Sequence, residues 1–156
     1  MSTRIGTASD VPAITSLINR AYVVERFFKV GDRTNEEGVR ALQAKGTFLV
    51  LEREGAPIGC VYVELRGARG YIGLLSVDPA RQGSGAGRAL MAAAEAHCLA
   101  HGARDADLCV VNLREELPPF YRRFGYVECG TEPFSDPAEA TRPCHFIVMT
   151  KSLSKP

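Results

Sequence analysis

The sequence predicts an α+β fold, a mixed and mostly antiparallel sheet flanked by helices, in the order β-α-α-β-β-β-α-β-α-β-β. Three observations carry that prediction. Three β-like runs joined by glycine-containing turns fill the middle of the chain, an alanine-rich helical stretch follows them, and two further β-like runs come last. A length of 156 residues suits a single domain over residues 1–156, with enough chain to bury a core and too little for two.

A short first strand is expected around Thr3 to Thr7. Asp10 then stands where an N-cap belongs, Pro12 falls in the first turn, and Ile14, Leu17, Ile18 and Tyr22 recur at helical spacing, which predicts a first helix. The stretch Glu25 to Arg33 breaks that period. Thr34 with Glu37 three residues on reads as a capping box, opening a second helix that runs to Lys45. The meander comprises Thr47 to Glu52, Pro57 to Leu65 and Tyr71 to Val77, with glycines in the intervening turns. From Gly85 to His101 a helix carries Leu90, Ala94 and Cys98 on one stripe and ends on Gly102. Asp107 to Asn112 forms a strand with Cys109 and Val111 on one face. A short helix follows, started by Pro118 and Pro119 and closed by Gly125. Two strands, Tyr126 to Gly130 and Cys144 to Thr150, flank a proline-rich loop from Thr131 to Pro143.

Composition narrows the class. Hydrophobic residues make up 46% and charged residues 24%, as in an ordinary folded globular protein and unlike a disordered or collagen-like chain. Nineteen basic and eighteen acidic side chains leave a formal charge of +1, so no nucleic-acid or membrane partner is expected and any bound anion needs a local site. The five cysteines, Cys60, Cys98, Cys109, Cys129 and Cys144, stand singly with no zinc-like spacing, which reads as free thiols with no metal. The amino terminus lacks the apolar core of a signal peptide, and no apolar run approaches the roughly 20 residues of a membrane span. A cytoplasmic protein is expected.

The segment that carries chemistry runs from Leu74 to Arg88, a strand, a Val77-Asp78-Pro79 turn, then Gln82-Gly83-Ser84-Gly85-Ala86-Gly87-Arg88 opening a helix. Alternating glycines expose successive N–H groups, remove the Cβ atoms that would block an anion, and hand over to the positive end of a helix dipole. That is a phosphate cradle. A P-loop would need Lys and Ser or Thr after the last glycine, where Arg88 and Ala89 stand, and a dinucleotide fingerprint would need GxGxxG in a βαβ unit.

The run Gln82 to Gly87 resembles the [QR]xxGx[GA] pattern of the GCN5-related N-acetyltransferase (GNAT) family, and Phe120-Tyr121-Arg122-Arg123-Phe124-Gly125-Tyr126 is similar to that family's FYxxxGF segment. Two motifs in the right order on the right elements extend the resemblance over nearly the whole chain. It implies a GNAT-like sheet and an acetyl-CoA-dependent transfer to a primary amine by direct attack on the thioester. It further implies that backbone amides of Gln82, Gly83, Ser84, Gly85, Ala86, Gly87 and Arg88 hold the CoA pyrophosphate, and that Leu75, Ser76 and Val77 pair with the pantetheine arm as an added strand. Tyr121 corresponds to the residue that protonates the departing thiolate, with core packing as the other reading. Asn112 resembles an asparagine that touches the cofactor, with a strand-end cap as the alternative.

The family often places a general-base glutamate on its fourth strand, and Tyr71 to Val77 contains no acidic residue. Glu64, Glu25 and His145 are the remaining candidates, and an amine that sheds its proton to water needs none. The segment Tyr22 to Arg33 corresponds to the wall of the acceptor pocket. There Glu25, Phe27 and Phe28, beside Arg26, Lys29 and Arg33, are the acceptor-binding candidates for an apolar amine with an acidic end. Arg122 and Arg123 either meet the nucleotide phosphate or face water. The acceptor, small molecule or protein, is open, as is association into a homodimer. A CoA-binding sensor that has lost the chemistry is the rival reading, favoured by the absent carboxylate and opposed by the retained Tyr121.

Overall fold

The structure, a computed structural model, describes residues 1–154. Seven strands form one sheet in the order β1-β2-β3-β4-β5-β7-β6: β1 (Ser2–Ile5), β2 (Thr47–Arg53), β3 (Ala56–Arg66), β4 (Arg69–Val77), β5 (Asp105–Val111), β6 (Val127–Pro133) and β7 (His145–Ser152). Every pairing is antiparallel except β4 with β5. The helices are α1 (Val11–Ala21), α2 (Glu36–Gln43), α3 (Ala86–Ala100) and α4 (Leu117–Arg122). The predicted α+β class and element order hold. Among the described residues no helix is long and apolar enough to cross a membrane.

Period-two alternation divides the core between the two faces of the sheet. Phe48, Val50, Cys60 and Tyr62 pack with Val11, Ile14, Leu17, Ile18 and Val39 of α1 and α2. Their strand neighbours Leu49, Leu51, Val61 and Val63 point the other way, onto Leu90, Met91, Ala94 and Cys98 of α3. Each fully buried Val, Leu, Ile, Phe or Met among them contributes roughly 1.5–3 kcal/mol of transfer free energy.

Local caps differ from the expected ones. Asn35, in extended conformation, caps α2 by accepting from the Gly38 N–H at 2.8 Å; Thr34 is displaced from that role because its own N–H donates to Asn19 Oδ1. Asp10 makes no cap bond for α1 and instead accepts from Arg4 and from the Thr7 N–H. β6 runs past Gly130 to Pro133, because Thr131, Glu132 and Pro133 still find partners on β7.

Two irregularities position the site. β4 and β5 pair only at Arg69, Gly70 and Tyr71, and beyond that point the strands diverge. The Arg69 guanidinium fixes the hinge of this splay through two 2.7 Å bonds to the Asp107 carboxylate. Further along, the β3–β4 register shifts between Cys60 and Tyr62, and Leu74 adopts φ +52°, left-handed backbone for a bulky residue.

Candidate functional site

Past the bulge, Leu75 and Val77 reach a cleft of about 680 Å³ whose far side is the glycine-rich loop and α4. Asp78 accepts from the Ala80 N–H and closes the turn after β4. Gly83 (φ +83°) and Gly85 (φ +84°) then take left-handed backbone, and no protein atom lies within 4 Å of where either Cβ would stand. Among the described residues none of the N–H groups of residues 82–88 donates to a protein acceptor. A row of free donors at the start of a 15-residue helix fits a pyrophosphate.

Tyr121 lies at the inner end of this cleft, 8% exposed, edge-on to Phe120 and Tyr126. Its hydroxyl has no hydrogen-bond partner among the described residues. Burial pushes the phenol above its ordinary range while the nearby Arg114 guanidinium pulls it back, so Tyr121 keeps its proton near neutral pH. A second cavity of about 540 Å³ occupies the mouth of the β4–β5 splay, between Tyr71, Leu74, Cys109, Phe134 and Glu25. Burial, with Glu132 beside it, raises the Cys109 thiol to about 11, which leaves it a neutral wall group.

The two cavities share Tyr22, Leu117 and Tyr121. Their partition also contains an ion pair: Glu25 Oε2 lies 2.9 Å from Arg114 Nη1, the carboxylate lining the second cavity and the guanidinium the first. Both side chains are largely buried, and Arg114 also meets Glu116 at 2.9 Å. Arg114 escapes sequence reading, since its partner is 89 positions away and no local pattern marks it.

The other sequence candidates divide. Gln82, Gly83, Gly85, Ala86, Gly87 and Arg88 line the first cavity together with Leu75 and Val77. Ser76 does not, because β4 alternation turns it inward, where it is 1% exposed and donates to the Leu74 carbonyl. Ser84 lines neither cavity and donates to the Arg81 carbonyl, holding the turn. Asn112 is a strand-end cap, its Oδ1 accepting from the His145 N–H at 2.8 Å. Phe28 is fully buried against Val111 and Phe134, and Phe27 faces solvent under Arg142, so neither member of the aromatic pair lines either cavity. Glu64 is engaged by the Tyr62 hydroxyl and by Arg66, which hold its carboxyl below the ordinary range, and it lies outside both cavities. His145 is exposed on β7, away from both.

Residues 44–128, more than half the chain, match the family model described as an acetyltransferase (GNAT) domain. Solved structures share the fold across almost the full length. The ribosomal-protein-S18-alanine N-acetyltransferase from Escherichia coli aligns at a TM-score of 0.81 with 18% identity, covering 99% of this chain and 95% of that one. Ard1 from Thermoplasma volcanium gives 0.80 at 19% identity over 99% and 98%. The yncA protein from Salmonella typhimurium, a putative acetyltransferase with its cofactor acetyl-CoA, gives 0.76 at 19% identity over 100% and 95%. No curated protein matches the chain.

Proposed function

The chain belongs to the GNAT acetyltransferase family, and from that membership we propose that it is an acetyl-CoA-dependent N-acetyltransferase that acts on a primary amine by direct attack on the thioester. The observation that carries the reading is the meeting of two cavities at Tyr121, one with a phosphate cradle and one without. Acetyl-CoA supplies the acetyl group as an activated thioester. The N–H groups of residues 82–88 receive its pyrophosphate, and the edge of β4 past Tyr71, which has no β5 partner, takes the pantetheine arm as an added strand.

The chain's own groups then need to orient two reactants and handle one proton. The second cavity holds the amine against the partition, which turns a bimolecular encounter into a local one. As the nitrogen–carbon bond forms and the carbon–sulfur bond breaks, the nitrogen loses a proton to water. Tyr121 gives its phenolic proton to the departing sulfur and recovers one from solvent. Neither cavity places Glu64 or His145 near this point, and Glu25 already faces Arg114. Transfer without a dedicated base suits that arrangement.

The test is an amine panel, small molecules and peptides together, followed by release of free thiol from acetyl-CoA. Turnover with any primary amine is expected, alongside thermal stabilisation by CoA and acetyl-CoA that ATP and NADH do not give. Stabilisation by CoA with no turnover would make the protein a sensor. Equal stabilisation by ATP would remove the CoA assignment.

A further inference from the structure

The second cavity carries more charge than an apolar amine needs, and its cations are not equivalent. Lys29 is buried and tied to Glu139 at 3.0 Å. Arg66 is held by Glu64, and Arg69 by Asp105 and Asp107. Arg33 alone among the described cations lining this cavity has no carboxylate partner. Its guanidinium stacks over Tyr22, 5.5 Å from the ring centroid, and is partly shielded from solvent. A stacked guanidinium is already oriented, so it loses little freedom on meeting a planar anion, and its fork matches a carboxylate.

We propose that Arg33 is the anion subsite of the second cavity, and that the acceptor is a small primary amine bearing a carboxylate, of the free α-amino-acid class. This inference rests on the transferase reading above. The spacing selects the class. Tyr22 lines both cavities and lies under Arg33, so an acid held by Arg33 and an amine at the partition are set on the same side chain. A short separation between amine and acid satisfies both ends. Glu25, the carboxylate on the same stretch of chain, does not repel the acid because Arg114 neutralises it. The carboxylates Glu132 and Asp136 belong to β6 and the loop after it, so the cavity is polarised for a zwitterion. A single unpaired cation matches a monoanion better than a phosphonate dianion.

The experiment compares glycine, L-alanine, L-leucine, L-phenylalanine and L-glutamine with their carboxamides, with aminomethylphosphonate and with a peptide of acidic second residue. It uses the wild type, Arg33→Met and Arg33→Lys. The wild type is expected to prefer acids over amides by roughly 10- to 100-fold in kcat/KM, the effect of one charge-assisted hydrogen-bonded pair. Arg33→Met should abolish that preference, and Arg33→Lys should retain part of it. Amides equal to acids, or a preference that survives Arg33→Met, would overturn the subsite with the transferase reading intact. So would turnover of the peptide or the phosphonate alone. If no acceptor turns over, calorimetry on the CoA-loaded protein decides, with N-acetyl-L-alanine against its amide. A preference for the acid that Arg33→Met removes supports the subsite, and no preference rejects it.

Discussion

A phenol is a weak acid in water, and burial makes Tyr121 weaker still, against which the Arg114 guanidinium acts. In the proposed role such a donor serves only when sulfur gains charge, so its loss should appear in turnover and hardly at all in cofactor binding. Tyr121→Phe is expected to lower kcat by about 10²-fold, with a CoA dissociation constant close to wild type. A mutant that lost CoA affinity and thermal stability in step with activity would make Tyr121 a packing residue. Glu25 tests the partition itself, because breaking a largely buried ion pair strands its partner. Glu25→Gln should destabilise the fold by about 3 kcal/mol in denaturant titration, at the low end for such pairs because Glu116 still holds Arg114. An unchanged midpoint would mean the pair carries no stability. The position of Tyr121 between the two cavities can be approached from the sequence, because a motif with fixed spacing contains it. The position of Arg114 cannot, since long-range pairing sets it, nor can the orientations of Phe27 and Phe28, because residue type does not say which of two adjacent aromatics goes inward.

At the scale of elements, the loop before α3 depends on backbone that a branched residue resists. Gly85→Val would set a β-branched side chain at φ +84° and fill the space in front of the free N–H groups. The strain costs on the order of 1–3 kcal/mol, which lowers Tm without abolishing the fold. The expected result is a native far-ultraviolet circular dichroism spectrum with no thermal shift from CoA. A folded variant with unchanged CoA affinity would sink the cradle. That loop, α3 and the central meander were readable because glycines and apolar alternation are local signals: Phe48 and Val50 belong to one face, Leu49 and Leu51 to the other. The β4–β5 splay and the bulge at Leu74 were not, since a parallel contact confined to Arg69, Gly70 and Tyr71 and a register shift leave no periodic trace. The far end of β6 has no periodic trace for a similar reason. Pairing with β7 holds Thr131 to Pro133 extended although every β6 residue is exposed.

For the molecule as a whole, acid should be the condition that unfolds it, because several of its carboxylates are held below their ordinary range by partners in the folded state. Arg4 lowers Asp10 and so links β1 to α1; Arg69 lowers Asp107 at the hinge of the splay; the Tyr62 hydroxyl, then Arg66, lower Glu64. A carboxylate depressed in the folded state binds fewer protons there than in the unfolded chain. Its contribution is therefore complete above the unfolded value and is lost as pH falls through the folded one. His97, lowered by burial and then by His101, has the same sign, since its neutral form is the folded form. Tm should then be level near neutrality, begin to fall below about pH 6.5, and drop steeply below about pH 4. Protonation also leaves nineteen lysine and arginine side chains and three histidines unopposed, where the neutral-pH charge is +1, so self-repulsion adds to the loss. Asp107→Asn separates the specific term from the general one. Without the charge partner at the hinge, the variant should start with a lower Tm at pH 7 and lose fewer degrees between pH 7 and pH 3 than the wild type. Equal losses in the two proteins would assign acid unfolding to net charge alone and take the Arg69–Asp107 pair out of the explanation.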